Sequence, residues 1–377
     1  MWLSNKDKVL FALLRASLWD THKDYSKVAL QHAHIQALTK IARQQAVAGL
    51  IAHALIDTGV KMEHKDIMDV YNMQRSIQLK NEQIDDAVVE LCQIMEREGI
   101  RIIVFKGQTV GALYPDHSLR QSGDIDFYCC HDDWKKALHY FRDKEGLKID
   151  DMGSSKDVSF QRNNIIYEMH NQLTSFNYPM HNRYWKRVVM PEILSHPYTV
   201  RVKEYDVPTL APTYNALFVF AHIFRHLILE GIALRQFCDW ARVLDVQHDE
   251  IDVALLERHL CGLGLHKAYC GLGAMLTKLL GLQSEKFPFA ISEDDEKRLP
   301  ALWENMLQRG NFGKSVRYRT KNIITHSIEH IWQMSKQARE FHHYAPAEAW
   351  WHIPALVGWW VLKSWRWMTN TLRPKHH

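Results

Sequence analysis

The period of the hydrophobic pattern changes twice along this 377-residue chain, and that limits the folds open to it. Over residues 1–99 apolar positions recur at three and four residues, as in KVLFALLRASLW and ALQHAHIQALTKIARQQAVAGLIAHALI. That spacing lays them along one side of a helix. Gly59 is expected to stop the second helix, and a long helix is expected from about Glu63 to Arg97, ended by Gly99. The pattern then shortens. Ile100–Phe105 (IRIIVF) is a β-rich run bounded by glycines, and Ile125–Cys130 (IDFYCC) is a second. Between them and the next strands, HDDWKKALHYFRDKEG predicts a helix ended by Gly146. Val158–Gln161 and Asn164–His170 predict a hairpin with Arg162-Asn163 near its turn. Tyr198–Tyr205 alternates and predicts one further strand. From Pro212 onward the helical period returns, and no internal repeat is visible. The reading is therefore α+β: a small mixed or antiparallel sheet with helices, over 100–210, embedded between helical regions at 1–99 and 211–345.

Composition closes off several other classes. Hydrophobic residues are 46% and charged residues 24%, enough to bury a core and too ordinary for a disordered, collagen-like or disulfide-scaffold chain. Lys+Arg exceeds Asp+Glu by only 47 to 43, so the charge carries no specific nucleic-acid signal. None of the six cysteines forms a CxxC pair, and Cys129-Cys130 point to opposite faces of their strand. Reduced thiols in a cytoplasmic protein are expected. The start of the chain places charges inside its apolar run, unlike a signal peptide, and no stretch approaches the roughly 20 apolar residues of a spanning helix. The tryptophans are unevenly placed: six of 13 lie at or after Trp350, among Lys363, Arg366, Arg373 and Lys375. A tail over 346–377 of that kind suits peripheral contact with a membrane interface, or packing as a C-terminal helix on the body or on a partner.

The chemistry concentrates in FKGQTVGALYPDHSLRQSGDIDFYCC, residues 105–130. Asp124 and Asp126 are two apart on a strand and so share a face. Two carboxylates on one face are unfavourable unless a cation sits between them. Mg²⁺ takes one or two carboxylates plus substrate phosphates, and two such ions can clamp the attacking and leaving oxygens of a phosphoryl or nucleotidyl transfer. On the later strand Glu168 and His170 share a face, and Glu168 completes a three-carboxylate cluster if the two strands are neighbours. Upstream, Lys106-Gly107 ends a strand and opens a helix over about Gln108–Tyr114. Glycine there lets backbone approach a phosphate. Lys106 and Arg120 suit triphosphate charge. His222 and His226 are four apart on an apolar helix, with Arg235 and Asp239 following. With His170 they are candidates for an acceptor or base pocket; the alternative is a pair of core histidines with hydrogen-bond partners.

The order of these parts resembles the nucleotidyltransferase fold of the DNA polymerase beta superfamily, and within it a group of bacterial proteins called uncharacterised nucleotidyltransferases. The resemblance rests on Phe105-Lys106-Gly107, Leu113-Tyr114-Pro115, Arg120, Gly123-Asp124-Ile125-Asp126-Phe127 and Glu168-Met169-His170. It is strongest over about 100–170 and extends more weakly, through LFVFAHIFRH and LRQFCDWARVL, to about 245. It implies that Asp124 and Asp126 bind Mg²⁺ or Mn²⁺ and that Glu168 is the third carboxylate, a ligand or a base. Lys106, Gly107, Arg120 and Gly123 would hold the triphosphate of an NTP, ATP being the first choice. The chain departs from the superfamily pattern at Gly107-Gln108, where Gly-Ser or Gly-Gly is usual, and in the longer stretch before Asp124. The implied reaction is transfer of a nucleoside monophosphate to an acceptor hydroxyl of unspecified identity. A degenerate nucleotidyltransferase-fold binding or regulatory protein, and a membrane-associated interaction protein of surface-polysaccharide assembly, are the alternatives.

Overall fold

The computed structural model of the chain describes residues 2–21, 30–150, 157–310, 323–351 and 354. Its first helix, Asn5–Leu18, is capped by the Ser4 hydroxyl, which accepts from the Asp7 amide at 3.2 Å. The second helical run, expected to be continuous to Gly59, is two helices, His32–Gln44 and Ala48–Asp57. The chain breaks at Ala46, which sits at φ +53°. The cause is tertiary. Gln45 is 1% exposed, and its side chain accepts from the Leu234 amide at 3.0 Å and donates to the Met306 carbonyl at 3.2 Å. A helix running through this point would forfeit both buried bonds.

The helix His64–Arg97 has 34 residues, a length of about 51 Å. Its buried stripe, Ile84, Val88, Leu91, Cys92 and Met95, packs against one face of a five-stranded sheet. Each such side chain withdrawn from water contributes about 1.5–3 kcal/mol. The strands are β1 (Ile102–Val104), β2 (Asp124–Cys129), β3 (Ile149–Asp150), β4 (Asp157–Arg162) and β5 (Ile165–His170), in the order β1-β2-β5-β4-β3. β2 and β5 run parallel and the other pairs antiparallel, so the sheet is mixed. The fold is α+β, as the periodicity indicated.

Two local corrections follow from turn geometry. The β4–β5 turn is Asn163-Asn164, both at positive φ (+51° and +62°), one residue beyond the expected Arg162-Asn163. Asparagine tolerates the left-handed region that a tight two-residue hairpin turn demands. The single strand expected over 198–205 is instead a hairpin, β6 (Tyr198–Val202) and β7 (Tyr205–Thr209), turning at Lys203, φ +49°. Its buried Val202 and Val207 join the core beneath the sheet.

Ile125, Phe127 and Cys129 on β2, and Tyr167 and Met169 on β5, face that core. The opposite face turns toward the helices Pro212–Leu229 and Leu234–Val246. A larger apolar cluster there runs from Leu10 to Ala345 and takes in Phe105, Leu113 and Tyr128. The start of the Trp-rich segment is tied to the body: buried Glu348 accepts from the Asn177 and Tyr178 amides (2.8 and 3.2 Å) and from the His181 ring (2.8 Å). Most of that segment, and with it the expected membrane or partner contact, lies outside the described residues. Among the described residues no helix is long and apolar enough to cross a membrane.

Candidate active site

The pleat of β2 places Asp124 and Asp126 on one face, and the parallel register sets Asp126 directly beside Glu168. Tyr128 and His170 form the next pair on the same face. One ligating atom from each of Asp126, Glu168 and His170 lies within 4.8 Å of the others. Asp124 flanks them, two residues earlier on the strand. Buried Asp126 is met by Lys106 Nζ at 3.5 Å and His170 Nε2 at 3.0 Å. The other nitrogen of His170, Nδ1, lies 2.9 Å from Asp157. An imidazole with a carboxylate at each nitrogen donates twice only as the cation.

The charges follow from this packing. Burial opposes ionisation of Asp126, but Lys106 and His170 prevail and hold its carboxyl down at about 2. Burial and the neighbouring Asp126 push Asp124 up. Burial, then Asp126 and Asp124, push Glu168 up to about 7. Burial works against the charged form of His170, but its bonds to Asp126 and Asp157 raise it to about 9. Like charges gathered in a desolvated place shift pKa values in these directions. The carboxylate oxygens of Asp126 and Glu168, with Asp124 beside them, fit a hard divalent cation such as Mg²⁺ or Mn²⁺, and His170 could join them only by giving up its Nε2 proton.

Lys106 and Gly107 both have positive φ (+61° and +42°), a turn that glycine permits and that lysine tolerates only under constraint. The Lys106 carbonyl is held by Thr109 Oγ1 at 2.8 Å, and its ammonium lies 5.1 Å from the Phe105 ring centroid. The helix that follows, Gly107–Gly111, has only five residues. Gln108, the departure from the superfamily pattern, is buried and donates to Asp85 of the long helix, whose other oxygen meets His117 at 3.1 Å. That glutamine is a strut between the short helix and the long one.

A cleft enclosing about 470 Å³, its open mouth included, is lined by Lys106, Gly107, Gly123, Asp124, Asp126, His222, Arg235 and Asp239 among others. Arg120 also lines it, with its guanidinium engaged by protein groups. Nε and Nη2 donate to Asp239 at 2.7 and 2.8 Å, and Nη1 donates to Ser122 at 2.7 Å. Asp239 further accepts from Tyr114 at 2.7 Å. The residue marked for triphosphate and the one marked for the acceptor therefore meet each other. Arg235 donates to the Gln121 carbonyl at 2.5 Å. His222 stacks on Phe218 and meets the His226 ring edge-on, with centroids 4.2 Å apart. Burial, helped by Lys106, drives His222 well below the usual histidine range and so keeps it neutral. His226 is also pushed down by burial, against the pull of Glu230 at 3.2 Å. The histidine pair is thus packed on one wall, and His226 does not line the cleft.

Sequence reasoning missed Asp157, Asp85 and Ser122. Asp157 depends on the hairpin register. A turn at Arg162-Asn163 would set it opposite Glu168, whereas the turn at Asn163-Asn164 sets it opposite His170. The Asn-Asn pair was the signal available for it.

Comparison with known proteins adds one firm result. No curated protein matches the chain. A solved structure described as an antigenic nucleotidyltransferase-like protein from Paracoccidioides brasiliensis aligns at TM-score 0.33 and 11% identity, covering 54% of this chain and 94% of that one. A family model described as uncharacterised nucleotidyltransferase matches residues 31–281, more than half the chain and the whole of the acidic face and its cleft, and the chain belongs to that nucleotidyltransferase family.

Proposed function

We propose that the protein is a divalent-metal-dependent nucleotidyltransferase that moves a nucleoside monophosphate from an NTP, ATP in the first instance, to a hydroxyl group of an acceptor. The observation that carries this reading is the register of Asp126 against Glu168 on parallel strands, with Asp124 on the same face, beside a cleft lined by Lys106 and Arg235. Asp124 and Asp126 would hold Mg²⁺ or Mn²⁺, with Glu168 beside them for the attacking hydroxyl. Such an ion, when bound, supplies charge neutralisation at the α-phosphoryl oxygens.

The chain's own groups divide the remaining work. Lys106 brings positive charge to the same face and offsets charge on the leaving pyrophosphate. Glu168, beside Asp126 on the acidic face and pushed up in the metal-free site by burial and the neighbouring aspartates, is placed to accept the proton of the attacking hydroxyl. His170 orients Asp126 by donating to it. Gly107 and Gly123 leave the cleft wall free of side chains where phosphate would pass. The acceptor oxygen bonds to the α-phosphorus, the bond from that phosphorus to the bridging oxygen breaks, and pyrophosphate leaves. The test is label transfer from each α-³²P NTP, with Mg²⁺ or Mn²⁺ and cell extract. Wild type should label a product and the Asp124→Asn/Asp126→Asn double variant should not; equal labelling by the two would overturn the reading.

A further inference from the structure

Among the described residues two guanidiniums line the cleft, and their surroundings differ. Arg120 is 3% exposed and bound through all three of its nitrogens, two on Asp239 and one on Ser122. A fork that already grips a carboxylate through two nitrogens has little left for a phosphate. Arg235 stands in the first turn of the helix Leu234–Val246. Its Nη1 donates to Gln121, but its Nε is buried without a hydrogen-bond partner. A buried, unpaired N–H is costly, and a cation in the first turn of a helix is opposed by the helix dipole. Both penalties are relieved by one event: arrival of an anion. Lys106, across the same cleft, meets Asp126 at 3.5 Å, an acid that a divalent cation would also claim.

We propose that Arg235 and Lys106 form the polyphosphate-binding pair of this cleft, and that Arg120 is a positioning residue that clamps Asp239 and so holds the helix carrying Arg235. This rests on the nucleotidyltransferase reading for its ligand, a nucleotide polyphosphate. Arg235 lies one helical turn before Asp239, so the Arg120–Asp239 fork fixes the helix face from which Arg235 projects. Arginine is needed because its planar fork meets two phosphate oxygens at once, which a lysine ammonium does not.

The experiment is calorimetric titration of the full-length protein with inorganic tripolyphosphate and Mg²⁺, with a thermal melt of each variant. Wild type should bind. Arg235→Gln should weaken binding roughly tenfold to a hundredfold, the worth of a charge-assisted pair, while its melt stays above the titration temperature. Arg235→Lys should recover only part of the loss. Arg120→Lys should melt earlier yet bind within about threefold of wild type below its transition. Absence of tripolyphosphate binding by wild type would overturn the proposal, as would an Arg235→Gln variant that binds like wild type. The two Arg235 variants decide the matter even if Arg120→Lys does not fold. Tripolyphosphate binding that depends on Arg235, without label transfer from any NTP, would sink the reaction and leave this site standing. Label transfer untouched by Arg235→Gln would do the reverse.

Discussion

Asp239→Asn tests how the site is built. Asp239 is 6% exposed and Arg120 is 3% exposed, so neither charge is screened by water. The carboxylate accepts from Arg120 at 2.7 and 2.8 Å and from Tyr114 at 2.7 Å. Asparagine keeps the shape but removes the charge and turns one acceptor into a donor facing a cation. Breaking a buried pair from one side leaves the other charge uncompensated, at about 3–5 kcal/mol. Against a net stability of about 5–15 kcal/mol this is a large loss. The assay is urea unfolding followed by the fluorescence of the 13 tryptophans, of which Trp240 is fully buried next to Asp239. Removing both partners, as Arg120→Met/Asp239→Leu, should recover much of the loss, because replacing a buried ion pair by apolar side chains is often neutral. A single variant that loses under 1 kcal/mol, or a double variant no more stable than the single one, would refute the reasoning.

Three further outcomes are expected. In metal-free protein, His170 holds its proton up to about 9 when folded against an ordinary 6.5 when unfolded; its stabilisation is complete below about 6.5 and lost as pH rises through about 9. Unfolding curves in EDTA should show that decline, and His170→Gln should remove it. Gly49→Ala would bring a Cβ within 2.2 Å of the Leu119 carbonyl oxygen, a backbone atom that cannot swing aside; thermal denaturation should show a loss of about 1–3 kcal/mol, and an unchanged transition would contradict the packing. Gln108→Ser, which restores the superfamily's usual residue, strips a buried donor from Asp85 and should destabilise by about 1–3 kcal/mol in the same assay.

Much of the candidate site was legible because it is local. Strand period alone puts Asp124 with Asp126, and Glu168 with His170, on shared faces. The long helix was legible to within a residue, because its apolar stripe repeats over many turns. The break at Ala46 was not, since its partners, Leu234 and Met306, lie far along the chain. Nor was the partner of Arg120, since the carboxylate that its guanidinium meets belongs to Asp239, 119 residues away.

By itself, then, the sequence determined the α+β class, the strands that carry the acids and the face on which each acid lies, since these follow from dihedral preference and side-chain period within a few residues. Tertiary structure alone decided that β5 lies parallel beside β2, which brings Glu168 to Asp126. It also decided which of two cleft arginines has a free donor. Both depend on which distant segments share a desolvated space, where an unpaired charge or hydrogen-bond donor is too costly to leave and the partner is chosen by packing rather than by nearness in the chain.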